Sequence, residues 1–115
     1  MPFISPDEIP KVELFPGGRS ALVAGENLLF SFVEMDDGAE LPPHSHPEEQ
    51  GGLILTGCLR LKIGDEEQTL YPGDAFIVPP NVIHSGHVEE GPVNVLDTFA
   101  PPRPDYLAKI DGNPE

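Results

Sequence analysis

The chain contains almost no cysteine and no long apolar run. Its single cysteine, Cys58, excludes an internal disulfide framework and fits a reducing compartment. No apolar stretch is long enough to span a bilayer, and residues 1–6 lack both the basic stretch and the apolar segment of a signal peptide. We therefore expect a soluble, cytoplasmic protein.

Basic residues are also scarce. The chain has six Lys and Arg residues and twenty Asp and Glu residues, which give a formal net charge of −14. Such a charge argues against binding to nucleic acid or to anionic membrane surfaces. We interpret the acidity as a solvated surface, so that an anionic ligand would need a local positive site.

Long segments with helical periodicity are absent as well. The 115 residues include 15 Pro and 12 Gly, which divide the chain into short apolar segments. This pattern of short apolar segments separated by Pro and Gly is typical of an all-β sandwich or barrel. The length predicts one domain over residues 1–115, with an N-terminal arm at 1–20 and a C-terminal tail at 100–115.

Short apolar runs and turn residues indicate the individual strands. Leu59, Leu61 and Ile63 alternate with Cys58, Arg60 and Lys62, which predicts a half-buried strand with the second set on its wet face. Only a short helical turn is expected, at residues 106–108. The predicted inner surface of the barrel includes the following apolar side chains: Phe32, Leu61, Phe76 and Val95.

The most informative pattern is His44-Ser45-His46 followed by Gln50. On an extended strand, positions 44, 46 and 50 project from one face, where two imidazoles and an amide oxygen can hold a metal. His84 follows a Pro-rich tract, and a folded sheet would bring it back to complete the set. We therefore expect one divalent ion bound by His44, His46, Gln50 and His84, with Ni, Zn, Mn, Fe and Co all open.

Several alternatives remain for this metal site. Gln50 could instead be a polar residue lining the cavity, and Glu48 or Glu49 could replace it if the strand bulges. His87 is expected at the rim or surface. If the four ligands are neutral, the ion keeps its full charge, which favours polarising a substrate oxygen over activating dioxygen.

Two charged residues near the end of the chain are candidates for chemistry on a substrate. Asp97 shares the parity of Val93, Val95 and Phe99, so it would be a semi-buried carboxylate suited to acid–base work. Arg103 offers a fork for a carboxylate. The alternatives are a structural hydrogen bond for Asp97, a surface ion pair for Arg103 and a core position for Phe99.

These residues resemble the two motifs of the cupin superfamily. The first motif is matched by Gly38, His44, His46, Gln50 and Gly57, with Gln50 in the usual glutamate place. The second is matched by Gly73, Pro79 and His84, whereas Asn81 and Val88 depart from the usual glycine and asparagine. The resemblance covers residues 38–88 and implies an antiparallel jelly-roll barrel, a metal site, and commonly a homodimer.

The tail at residues 96–107 resembles more narrowly the KdgF-like cupins of pectin and alginate breakdown. Members of that group also use glutamine as the fourth metal ligand, and they open 4,5-unsaturated uronates to linear keto sugars. The resemblance implies catalytic roles for Asp97 and Arg103 and substrate contact by Arg103 and Phe99. The hypotheses that remain open are an isomerase or ring-opening enzyme acting on a sugar acid, a non-catalytic small-ligand-binding protein, and a metal-dependent dioxygenase.

Overall fold

Two long strands, Glu49–Ile63 and His84–Ala100, form the spine of the molecule and pair with each other along their lengths. The computed structural model describes residues 2–110. A 3-10 turn at Pro6–Glu8 precedes the first strand. The elements in chain order are β1 (Val12–Phe15), β2 (Gly18–Ala24), β3 (Leu29–Met35), β4 (Glu40–His44), β5 (Glu49–Ile63), β6 (Glu66–Leu70), β7 (Ala75–Val78), β8 (His84–Ala100) and α1 (Pro104–Ile110).

All strand pairs are antiparallel, and the two long strands each serve two neighbours. The second half of β8 pairs with β3, whereas its first residues pair with β4. Likewise β7 pairs with the beginning of β5 and β6 with its end. The sheet therefore folds into two layers, β1-β2-β3-β8-β5-β7 and β4-β8-β5-β6, which confirms the predicted cupin jelly-roll.

A bulge allows β5 to pass from one layer to the other. The register with β8 shifts between Ile54 and Leu59, and Gly57 lies there with a φ of +83°. A Cβ at Gly57 would lie 2.5 Å from the carbonyl oxygen of Pro92, so only glycine fits. Because the bulge breaks the alternation, Cys58 and Leu59 are both buried. The prediction that Cys58 lies on the wet face is therefore wrong.

The core lies between the two layers. Leu61 and Val95 are buried in it and Phe76 packs against it, as predicted. Phe32 does not belong to this core. In β3 the buried positions are the odd ones, from Leu29 to Met35, so Phe32 projects to the other face and contacts Phe30 edge-on at 6.1 Å between ring centroids. The assignment of Phe32 to the inner surface is wrong by one residue of register.

The C-terminal end is more regular than the sequence indicated, whereas the N-terminal arm has the short strands expected of it. Residues 12–24 form two paired strands, and α1 extends beyond the predicted turn and packs against β2. Residues 1 and 111–115 of the predicted arm and tail lie outside the described residues. Within residues 2–110, no helix has the length and apolar character needed to cross a membrane.

Candidate metal centre

Strand ends position the three histidines. His44 is the last residue of β4 and His84 the first of β8, and the two are direct partners in the antiparallel ladder. Their ring centroids lie 4.1 Å apart. His46 lies in the bend after β4, where its carbonyl accepts a hydrogen bond from the Asn81 amide at 2.8 Å. The three rings meet as expected, but a bend and not strand parity brings His46 to the other two.

Asn81 itself explains one departure from the cupin motif. It has a φ of 67°, in the left-handed region that glycine adopts without strain. Asparagine is the residue that most readily replaces glycine there. Asn81 can therefore adopt the backbone conformation of the usual glycine, and the hydrogen bond between the Pro-rich tract and His46 can form.

The backbone orients all three imidazoles in the same way. Each Nδ1 lies at hydrogen-bond distance from a main-chain carbonyl oxygen two residues away, so each Nδ1–H can donate to it and each Nε2 is left unprotonated. The three distances are His44 Nδ1 to Pro42 O at 2.9 Å, His46 Nδ1 to Glu48 O at 3.0 Å, and His84 Nδ1 to Val82 O at 2.9 Å.

The free nitrogens converge in a partly buried pocket. One ligand atom from each of the three histidines lies within 4.8 Å of the other two. His84 Nε2 is fully buried and has no hydrogen-bond partner among the described residues. Gln50 Oε1 lies 3.1 Å from His46 Nε2. With Nδ1 protonated, these two atoms are both acceptors, an arrangement that a cation between lone pairs would stabilise.

Burial favours the neutral form of His44 and His84. Desolvation lowers the pKa of His84 to about 4, although its hydrogen bond to Val82 acts in the other direction. Desolvation likewise lowers the pKa of His44. Neutral imidazole is the form that binds a metal, so the residues present fit a divalent ion.

The other residues near this pocket have different positions. Neither Glu48 nor Glu49 belongs to the group of converging ligand atoms found within residues 2–110. Glu48 is buried behind His46, and Glu49 is exposed. His87 lies partly exposed on the surface, as predicted, in contact with the Glu40 carboxylate.

Asp97 faces the same interior. It lies opposite Gly52 in the β5–β8 ladder, and a Cβ at Gly52 would lie 2.7 Å from Asp97 Oδ1 and 2.2 Å from the Phe76 ring. Oδ1 is buried without a hydrogen-bond partner among the described residues. Desolvation raises the pKa of Asp97 to about 7, against the opposing effects of a Gln50 hydrogen bond and the Arg103 charge. The carboxyl group can therefore hold or release a proton near neutral pH.

Arg103 pairs with a neighbouring acid and also lines the cavity. Its Nε and Nη2 donate to the Asp105 carboxylate at 3.3 and 2.9 Å, so it does form an ion pair. Its guanidinium also lies over the rings of Tyr106 and Phe99, at 4.0 and 5.1 Å from the centroids. The side chain is 12% exposed, and its charge reaches far enough to lower the pKa of His84.

Sequence reasoning missed Tyr106. This residue lines the interior cavity and packs edge-on against Phe99, with ring centroids 5.5 Å apart. Burial raises the pKa of its hydroxyl to about 12. A tyrosine in a short Pro-rich tail carries no periodic signal, because its place depends on α1 folding back over β2. The polar and aromatic residues that line this cavity are Phe15, His44, Gln50, Phe76, His84, Asp97, Phe99, Arg103 and Tyr106.

The chain is similar to known proteins in both sequence and fold. A family model described as a cupin domain matches residues 31–99. The pectin degradation protein KdgF of Dickeya dadantii is 33% identical over 104 residues, which cover 88% of this chain and 94% of that protein. The structure of KdgF from Halomonas sp. superposes with a TM-score of 0.84 at 29% identity, over 90% of this chain and 96% of that one.

A further structure, an RmlC-like cupin from Shewanella frigidimarina, superposes with a TM-score of 0.85 at 25% identity. It covers 92% of this chain and 96% of that one. These chains are similar to this one over nearly their whole lengths.

The raised pKa of Asp97 predicts how stability changes with pH. The group is protonated in the folded, metal-free chain up to about pH 7, whereas in the unfolded chain it ionises near its ordinary value of about 3.9. Its contribution to stability is thus complete below about pH 4 and is lost as the pH rises through about 7. In chelator-treated protein, the free energy of unfolding of Asp97→Asn should rise relative to that of the wild type by a few kcal/mol between about pH 4 and pH 7. Urea unfolding measures the difference.

The matched control is Asp65→Asn, which removes one carboxylate from an exposed turn. It should leave the pH dependence of the wild type unchanged. Equal pH dependence of unfolding in the wild type and in both variants would contradict the buried, proton-holding state of Asp97.

Proposed function

The chain belongs to the cupin family, and we propose that it is a metal-dependent enzyme that opens or isomerises a sugar acid such as a 4,5-unsaturated uronate. One observation carries the proposal. Two neutral imidazoles of the three-histidine cluster, a buried carboxyl group with a pKa of about 7 and a guanidinium line one cavity. The likeness to KdgF over 88% of the chain supports the substrate class.

We assign His44, His46, Gln50 and His84 as the ligands of one divalent ion of the Ni, Zn, Mn, Fe or Co group. The unprotonated Nε2 atoms and the Gln50 amide oxygen support this set, since they meet in one pocket. When bound, such an ion polarises a substrate oxygen as a Lewis acid. All other functions at the site belong to the protein's own side chains.

Asp97 is the group we assign to proton movement. Ring opening of a 4,5-unsaturated uronate consumes no water: a proton leaves the anomeric hydroxyl, the bond from C1 to the ring oxygen breaks, and a proton adds at C4. One group with a pKa near the working pH can accept the first proton and return the second. Asp97, with its unpartnered buried oxygen, suits both steps.

Arg103 and Phe99 are assigned to substrate binding. Asp105 holds one edge of the guanidinium, which leaves the Nη1 protons for a substrate carboxylate. The Phe99 ring lies 5.5 Å from the ring of His46, so it forms the wall between the imidazole cluster and Arg103. A carboxylate-bearing ligand would then be held at two points.

We also propose that the protein works as a homodimer in the cytoplasm. Several apolar side chains project outward from β5 and β7, where Leu53, Leu55 and Ile77 are 37%, 47% and 62% exposed. Exposed apolar positions grouped on one sheet face are typical of an interface.

The first functional test follows a chromophore. Metal-loaded protein incubated with a 4,5-unsaturated uronate should abolish the absorbance of the conjugated double bond, because ring opening converts it to a ketone. Chelator-treated protein and His84→Ala should lose most of the rate, and Asp97→Asn should lose it while keeping its metal content. Tight binding of the uronate by metal-loaded protein without loss of absorbance would contradict the enzyme hypothesis and leave a ligand-binding protein.

A second test concerns Arg103. Arg103→Ala should weaken binding of sugar acids by about 2–4 kcal/mol, the cost of losing a charge-assisted contact, and should leave neutral sugars unaffected. Titration calorimetry on a uronate and its uncharged parent sugar measures the difference. Equal weakening for both ligands, together with a large drop in melting temperature, would assign Arg103 to folding and not to recognition.

A further inference from the structure

One buried charge has no part in the proposed reaction. The Glu48 side chain is 7% exposed, although glutamate is among the residues least often buried. Within residues 2–110, its single ion-pair partner is His46, whose Nδ1 lies 3.6 Å from Glu48 Oε1. A buried carboxylate is costly unless positive charge is near.

His46 differs from the other two histidines in this respect. For His44 and His84, Nδ1 has a backbone carbonyl as its hydrogen-bond partner. Nδ1 of His46 lies near two oxygen atoms of Glu48. The main-chain carbonyl oxygen is 3.0 Å away and the side-chain carboxylate oxygen Oε1 is 3.6 Å away. The carbonyl fixes the tautomer, and the carboxylate adds a full negative charge on the side of the ring away from Nε2.

We propose that Glu48 is a positioning residue that strengthens metal binding through His46. A carboxylate behind a ligating imidazole raises the basicity of that ligand and holds its ring in place. It also places a negative charge beside a set of ligands that is otherwise neutral. The ligands alone would leave the positive charge of the ion without a counter-charge. The inference rests on the proposed metal site and adds to it the residue that tunes the site.

The test compares two neighbouring carboxylates. Glu48→Gln keeps the shape of the side chain and its backbone carbonyl but removes the charge. Glu49→Gln changes the net charge of the protein equally at an exposed position. Affinity for Zn²⁺ and Ni²⁺ is measured by competition with a chromophoric chelator, which requires no substrate. We expect Glu48→Gln to bind about 10–100-fold more weakly and Glu49→Gln to bind like the wild type.

The melting temperature of the chelator-treated protein separates a metal role from a structural one. Without metal, Glu48→Gln should be as stable as the wild type or more so, since it no longer buries a charge. Equal metal affinity of Glu48→Gln and wild type, or equal weakening in both variants, would overturn the proposal. So would unfolding of metal-free Glu48→Gln. Failure of the wild type to bind either ion would instead overturn the metal site itself.

Discussion

The site depends on hydrogen bonds that point away from its centre. Each of the three imidazoles has its Nδ1 at hydrogen-bond distance from a nearby main-chain carbonyl, so each presents an unprotonated Nε2 to one shared pocket. Burial then lowers the pKa of His44 and His84, which keeps the lone pairs available. Converging lone pairs without donors are unfavourable by themselves, and a cation resolves the conflict.

The long strands make this convergence possible. Because β8 begins at His84 and reaches Asp97 and Phe99 in the other layer, it supplies the site with residues from both of its halves. Gly52 has no side chain, and this leaves the space that Phe76 and Asp97 occupy. The sheet therefore sets the metal pocket, the carboxyl group and the aromatic wall in one cavity.

The predictable part of the structure came from local patterns. The spacing of His44, His46 and Gln50 indicated one cluster, and the parity of Asp97 with Val95 and Phe99 correctly placed it inside. Features that depend on irregular backbone, on the phase of a strand or on tertiary packing were not predictable in this way. The bulge around Gly57 buried Cys58, the phase of β3 turned Phe32 outward, and the fold-back of α1 brought Tyr106 to the cavity. Glu48 was considered only as a replacement ligand, because its burial behind His46 depends on a bend.

We propose that His44, His46, Gln50 and His84 form one metal site through the three Nε2 atoms and the amide oxygen Oε1. Anomalous diffraction from crystals of the metal-loaded protein tests it most directly. The account predicts one strong peak per chain, bonded at about 2.0–2.2 Å to Nε2 of His44, His46 and His84 and to Oε1 of Gln50. Ligation through any Nδ1, or a peak located elsewhere in the molecule, would contradict it.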